Sequence, residues 1–181
     1  MVTDTGVRGE ILATLPTLRA FAVSLCGNID RADDLVQETI VRAISHIDSF
    51  QPGTNLPAWL FTILRNLFRS EYRKRRREVE DTDGSYTASL RSFPEQESRM
   101  EFEELREALA KLPSDQREAL VLVAASGFSY QEAADICECA VGTIKSRVNR
   151  ARSRLVELLA VDGERYFGPD DTTRAVMNLG R

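Results

Sequence analysis

Ser129-Tyr130-Gln131-Glu132-Ala133-Ala134-Asp135-Ile136-Cys137-Glu138-Cys139-Ala140-Val141-Gly142-Thr143-Ile144-Lys145-Ser146-Arg147-Val148 is the stretch that decides how this chain folds. It opens on Ser-x-x-Glu, the capping-box spacing in which a hydroxyl and a carboxylate each satisfy an orphan N–H at a helix start. Ala133, Ala134 and Ile136 then face inward from a short helix. A turn through Cys137-Glu138-Cys139 leads to a long helix, about residues 141–159. In that helix Val141, Ile144, Val148 and Leu155 keep helical spacing and form a packing face. Thr143, Lys145, Ser146, Asn149 and Arg150 project elsewhere, and Arg147 and Arg152 are placed to flank a groove and meet phosphates. Gly142, in the first turn, lets a backbone approach closely. A capped short helix, a tight turn and a long basic helix make a helix-turn-helix, whose second helix enters the major groove. Arg and Lys bond guanine O6 and N7 there, and Asn pairs with adenine. A solvated basic surface helix would explain the charges alone. It does not explain the capping box, the turn and the acid-free groove face together.

Working outward, every strongly periodic segment reads as helix, so the expected fold is all-α, two small helical domains joined by a flexible linker. Ile11, Leu15, Leu18, Ala22 and Leu25 line a first helix, with Pro16 near a start or kink. Gly27-Asn28 stops it. Asp30 is the expected cap of the next helix, with Leu35, Ile40, Ala43, Ile44 and Ile47 on its inner face. Pro52-Gly53-Thr54-Asn55 is a turn, and a third helix starts near Pro57, capped from Thr54 or Asn55. Its inner residues are Trp59, Leu60, Ile63, Leu64, Leu67 and Phe68.

Periodicity fails over 79–98, where Asp, Gly, Ser, Thr and Pro dominate, and this reads as a linker. Its ~20 residues reach roughly 65–70 Å when extended and average nearer ~25 Å as coil. Periodicity returns at Phe102, Leu105, Leu109 and Leu112. Pro113 closes that helix and Ser114 is the expected cap of the next, with Leu120 and Val123 buried and Gly127 as the terminating glycine. The expected domains are residues 8–78 and 99–160, with a tail at 161–181.

Hydrophobic residues are 43% and charged residues 29% of the 181, an ordinary globular balance. No apolar run approaches the ~18–20 residues of a membrane span, and Met1-Val2-Thr3-Asp4-Thr5 lacks the start of a signal peptide. The expected location is the cytoplasm, with no membrane partner. Cys26, Cys137 and Cys139 fit neither a disulfide framework nor a zinc site, and His46 stands alone. With no nucleophile–base set, glycine-rich phosphate loop or metal cluster, neither an enzyme nor a cofactor nor a small-molecule substrate is expected.

The net charge of -4 hides two basic blocks. One is the helix-turn-helix. The other holds Arg65, Arg69, Arg73, Lys74, Arg75, Arg76 and Arg77, interrupted by Glu71. Arg65, Arg69 and Arg73 repeat at i,i+4 and line one stripe of the third helix, with Asn66 and Ser70 beside it. The loop before it carries Phe50 and Asn55. A polar loop with an aromatic above a basic helix can hold an unstacked base while the helix holds its backbone. A solvated charge run at a helix end explains these residues equally well. Acid between the blocks (Glu78 to Glu104) predicts weak affinity of the whole molecule for DNA.

Together these residues resemble a sigma factor of the extracytoplasmic-function class, over nearly the whole chain. Asp33-Asp34-Leu35-Val36-Gln37-Glu38-Thr39 resembles its core-polymerase-binding segment. Ser49-Phe50 through Pro57-Ala58-Trp59-Leu60-Phe61-Thr62-Ile63-Leu64-Arg65-Asn66 resembles its −10 promoter region. Gly127 to Ala134, Val141 to Arg147 and Arg150-Ala151-Arg152 resemble its −35 helix-turn-helix. Phe50-Gln51-Pro52-Gly53-Thr54-Asn55-Leu56 and Leu112 to Leu120 are similar to the alphaproteobacterial general stress response subgroup.

The resemblance implies partners and roles. Asp34, Gln37, Glu38 and Arg42 would dock on the β′ clamp helices of core RNA polymerase, and the second domain on the β flap. Asn66, Arg69 and Arg73 would capture the −10 non-template strand, with Phe50 and Asn55 in the loop that forms the base pocket. Lys145, Ser146, Asn149 and Arg150 would read −35 base edges, and Thr143, Arg147 and Arg152 would hold phosphates. An anti-sigma factor would wedge between the domains, and a sigma-like decoy on a response regulator would remove it. The sigma-3 domain and the extended acidic N-terminal domain of housekeeping sigma factors are missing from the pattern, which implies a strict promoter requirement. A stand-alone helix-turn-helix regulator and a sigma-like decoy that binds an anti-sigma factor are the competing readings.

Overall fold

Asn28, not Asp30, starts the second helix: its Oδ1 accepts the Arg31 N–H at 2.9 Å. The computed structural model describes residues 4–80 and 98–161. In order the helices are α1 (Asp4–Cys26), α2 (Ile29–Ser45), α3 (Leu56–Glu80), α4 (Ser98–Ala110), α5 (Ser114–Leu120), α6 (Tyr130–Cys137) and α7 (Val141–Val161). A 3-10 turn follows α2 at Ile47–Ser49, and a π turn follows α5 at Val121–Ala125. No strand occurs among the described residues, so the all-α expectation holds. Helices α3 and α4 run to the edges of the expected linker. Residues 81–97 and 162–181, most of the linker and the tail, lie outside the described residues.

The first half packs α1, α2 and α3 against one another. Leu18, Phe21, Ala22, Leu35, Leu60, Phe61 and Leu64 form its buried centre. Each large apolar side chain there contributes roughly 1.5–3 kcal/mol by leaving water. Phe21 stacks on Phe61 with centroids 5.0 Å apart. Over Gly6–Cys26, α1 is long and apolar enough to cross a membrane by length and composition, contrary to the sequence reading. Its apolar face nevertheless lies in this core, and Arg19 pairs with Asp33 of α2 at 2.6 Å. Pro16 sits inside α1, which continues through it. One assigned core residue is misplaced: Ile44 is 60% exposed, beside Val41 at 59%. Ile44 lies about 100° around α2 from buried Ala43 and so turns away from the buried stripe.

In the second half Leu112, Ala119, Leu122, Ala133, Ile136, Ile144, Val148 and Ala151 are buried together. Pro113, not Ser114, occupies the cap position of α5, and no side-chain bond caps that helix. Arg117 of α5 instead reaches back, donating to the Leu109 and Ala110 carbonyls at the end of α4. Ser129 and Glu132 complete the capping box of α6: the Ser129 hydroxyl accepts from Glu132 N–H, and Glu132 accepts from Ser129 N–H at 2.8 Å. Glu138 closes the turn in the left-handed region, φ 52°, where a side chain is uncommon outside tight turns.

The two halves are not held apart. Helices α3 and α6 touch, as do α1 and α5.

Candidate nucleic-acid interface

Buried Ile144, Val148 and Ala151 fix α7 like an axle, and this decides which side chains face out. At about 100° per residue, Asn149 and Arg150 fall on the far side and Lys145 and Arg152 on the flank, and all four are exposed. Ser146 and Thr143 border them, half-buried, with the Ser146 hydroxyl donating to the Thr143 carbonyl at 2.9 Å. Lys145 Nζ lies 6.0 Å over the Tyr130 ring, so α6 steadies its stem. Arg147 points elsewhere. Its Nε meets Asp115 of α5 at 3.0 Å, and its guanidinium approaches the Cys139 sulfur at 3.9 Å. The structure therefore brings Lys145, Asn149, Arg150 and Arg152 onto one surface and ties Arg147 to the scaffold.

Around α3 the sequence candidates separate. A cleft of about 320 Å³ is lined by Arg42, His46, Ser49, Trp59, Ile63, Asn66, Leu67 and Ser70. Asn66 is at its wall. Phe50 is not: it leans on Trp59, centroids 5.3 Å apart, and braces the ring from behind. Asn55 faces away, toward the second half. Its Oδ1 accepts from Ala58 N–H at 3.0 Å, and its Nδ2 donates to Glu132 at 2.7 Å. Arg69 and Arg73 are exposed along α3 beyond the cleft.

Arg65 does not belong to that exposed stripe. It is 3% exposed. Its Nε donates to Glu118 of α5 at 2.6 Å and its Nη1 to the Ile136 carbonyl at 3.2 Å. The i,i+4 spacing predicts a shared face, but the second half covers the N-terminal part of that face. Burial and the neighbouring Glu118 carboxylate push the Cys137 thiol up to about 12, so it stays protonated. The Glu132 carboxyl is held below its ordinary range by the Ser129 backbone N–H, then by the Ser129 hydroxyl and Asn55.

On α2, Asp34, Gln37, Glu38 and Arg42 are all exposed on one face. Arg42 Nε pairs with Glu38 at 2.8 Å, and Arg42 also reaches the cleft. Exposed Val41 and Ile44 lie among them and give this polar face an apolar centre.

The Sigma-70 region 2 family matches residues 11–78, and the Sigma-70, region 4 family matches residues 102–155. The ECF RNA polymerase sigma factor EcfG of Rhodopseudomonas palustris (strain TIE-1) is 73% identical over 171 residues, 94% of each chain. This chain is an ECF sigma factor of the sigma-70 family. As a sigma factor it directs promoter-specific transcription initiation by RNA polymerase. The SigC ECF sigma factor of Mycobacterium tuberculosis is 38% identical, over 83% of this chain and 78% of that one. Among solved structures, the Bartonella quintana sigma factor RpoE, crystallised with the anti-sigma factor NepR, matches with a TM-score of 0.79 at 55% identity. The match covers 86% of this chain and 98% of that one, so both halves of this sigma factor take part.

The sequence reading missed Glu118, Glu132, Trp59, His46 and Asp115. Glu118 had a signal, an acid directly before the apolar run Ala119 to Val123. Glu132 reads there only as a cap and Trp59 only as core, and His46 and Asp115 look like ordinary surface residues until the helices are packed.

Proposed function

We propose that the exposed face of α7 reads the −35 duplex and the cleft beside α3 holds an unstacked −10 base. The observation that carries this is the α7 face: three cations and an amide, free of acids, on a helix fixed by buried Ile144, Val148 and Ala151. Lys145, Ser146, Asn149 and Arg150 take base edges, while Thr143 and Arg152 hold phosphates. Arg147 serves by fixing the angle of α7 against α5 through Asp115, a change from the phosphate role its position implies. In the cleft Asn66 offers an amide, Trp59 a ring and Ser70 a hydroxyl. Arg69 and Arg73 add charge for the strand. Flipping a base costs a few kcal/mol, which these contacts offset.

Asp34, Gln37, Glu38 and Arg42, around Val41 and Ile44, dock on core polymerase at the β′ clamp helices, and the second domain meets the β flap. The working domains are residues 8–78 and 99–160. The likeness to EcfG and to a NepR-bound sigma factor supports a role in a general stress response under an anti-sigma factor. The chain works in the cytoplasm as a regulator and catalyses no reaction itself.

Run-off transcription with purified core enzyme tests the reading. Promoter-dependent transcripts are expected from the full chain. They fall with Asn66→Ala on a duplex promoter and recover on a template already melted across the −10 element. Promoters selected from a random library that give no transcript would overturn it.

A further inference from the structure

His46 is the only histidine of the chain, and the promoter reading gives it no task. It stands at the C-terminal end of α2 and lines the cleft beside α3. Its backbone is tied on both sides. The Ser49 N–H and the Ser49 hydroxyl donate to its carbonyl at 2.9 and 2.7 Å. Its own N–H donates to the Arg42 carbonyl at 3.0 Å. Its ring Nδ1 lies 3.0 Å from the same Arg42 carbonyl. A carbonyl oxygen can only accept, so Nδ1 carries a proton in this contact. In the neutral ring the other nitrogen, Nε2, is then an acceptor. The bond to Arg42 thus sets the tautomer and holds the ring in one orientation, with Nε2 turned away from that carbonyl.

The groups around this acceptor differ in what they offer. The Ser49 hydroxyl spends its proton on the His46 carbonyl, so its oxygen also accepts. Arg42 can only donate, and its Nε is held by Glu38. Across the cleft Asn66 and Ser70 of α3 are exposed, and their side chains make no hydrogen bond among the described residues. A flat ring entering the cleft therefore meets one oriented acceptor at His46, backed by Ser49, and donors from Arg42, Asn66 and Ser70. Cytosine and thymine match this count. Each carries one N–H-bearing group and two acceptors on its pairing edge, whereas guanine carries two N–H-bearing groups and one acceptor. In a duplex that edge faces the other strand, so the match is available only to an unpaired base.

We propose that His46 is a specificity-determining residue for the −10 strand: its Nε2 accepts the edge N–H of an unpaired pyrimidine. The inference rests on the reading that this cleft holds an unstacked −10 base, and it adds the class of base the cleft takes. A base without that N–H leaves an oriented acceptor unmatched, which lowers binding by roughly 3- to 10-fold.

The experiment is run-off transcription by reconstituted holoenzyme on a promoter already melted across the −10 element. Each pyrimidine of the non-template strand there is replaced in turn by an analogue that lacks the N–H, 3-deazathymine for thymine or pyrimidin-2-one for cytosine. Wild type is compared with His46→Phe, which keeps a flat ring without nitrogen, and with His46→Gln, whose Oε1 again accepts. Both variants are expected to keep helical circular dichroism. In wild type the analogue at one position should lower transcription by roughly 3- to 10-fold. In His46→Phe the natural base and its analogue at that position should transcribe equally, and His46→Gln should restore part of the difference. The same penalty in wild type and His46→Phe would overturn the role of His46, as would a His46→Phe loss spread evenly over the −10 positions. A His46→Gln variant that behaves like His46→Phe would overturn the hydrogen bond. A His46→Phe effect confined to a purine position would overturn the choice of base. Failure of the cleft reading looks different: Asn66→Ala would then leave transcription from the duplex promoter unchanged.

Discussion

Helices α3 and α7 look alike as sequences and behave differently as structures. Each carries arginines at helical spacing beside an asparagine, and each buries one face deeply. In α7 Lys145, Arg150 and Arg152 stand away from the buried axle and are exposed. In α3 the first arginine of the stripe, Arg65, is enclosed by the other half of the molecule, and only Arg69 and Arg73 stay outside. Spacing gives the angle of a side chain about its own helix. It does not say what else comes to lie on that side. A basic stripe therefore identifies a DNA-facing surface only when nothing in the same chain carries a carboxylate positioned to cover it.

The largest effect expected concerns what the two helices share. Leu64→Ala in α3 and Ile144→Ala in α7 each remove a fully buried side chain. Each should lower unfolding free energy by about 2–5 kcal/mol in denaturant titration. A much smaller loss for Ile144→Ala would break the claim that α7 turns on a rigid axle.

Next comes the difference itself. Arg150→Ala should cost about 1–3 kcal/mol of discrimination at one −35 base pair, read by holoenzyme binding to matched and substituted promoters. Arg65→Ala should leave base-pair discrimination at every promoter position unchanged. A base-specific loss on changing Arg65 would return it to the DNA-facing stripe.

Smaller again is the contribution of Glu132, which both caps α6 and touches the α3 loop. Its carboxyl pKa is lowered from 4.5 by Ser129 and Asn55. A lowered carboxylate stabilises fully above its unfolded value and loses that contribution as pH falls through the folded one. Below pH 4.5 the wild type should therefore lose stability more steeply than Glu132→Gln, in thermal melts across a pH series. At neutral pH Ser129→Ala should cost about 1 kcal/mol by removing the cap.

The smallest effect is Arg152→Ala. It should weaken binding evenly across promoter sequences and reduce the salt slope by about 1. A change confined to one base pair would make Arg152 a base reader.

The helix-turn-helix is legible in the sequence because its signals are local: Ser129 and Glu132 three apart, and Ile144 and Val148 four apart. The all-α class comes from the same periodicity. The features that escape such a reading are set by contacts distant in sequence. Arg65 and Glu118 are 53 positions apart, and Asn55 and Glu132 are 77 apart. Ser114 and Asp30 have good capping side chains, but neighbouring Pro113 and Asn28 hold the cap positions, a shift of one or two residues that composition does not resolve. The cleft beside α3 is likewise hidden from such a reading, since its walls come from Arg42 of α2, from His46 and Ser49, and from α3. That arrangement appears only once α2 and α3 cross.

The π turn at Val121–Ala125 sets the phase of α6 and its neighbours. Ser126 N–H bonds the Val121 carbonyl, and Phe128 N–H bonds the Leu122 carbonyl, each a wider loop than an α-helix allows. The wider winding accommodates an extra residue before Phe128. Deleting one residue there would let the turn tighten and would rotate the chain beyond it by about 100°. Phe128 would swing off the edge of Phe61, and the Glu132 carboxylate would leave Asn55. A one-codon deletion would thus disturb the contact between the halves while leaving every side chain in that contact unchanged.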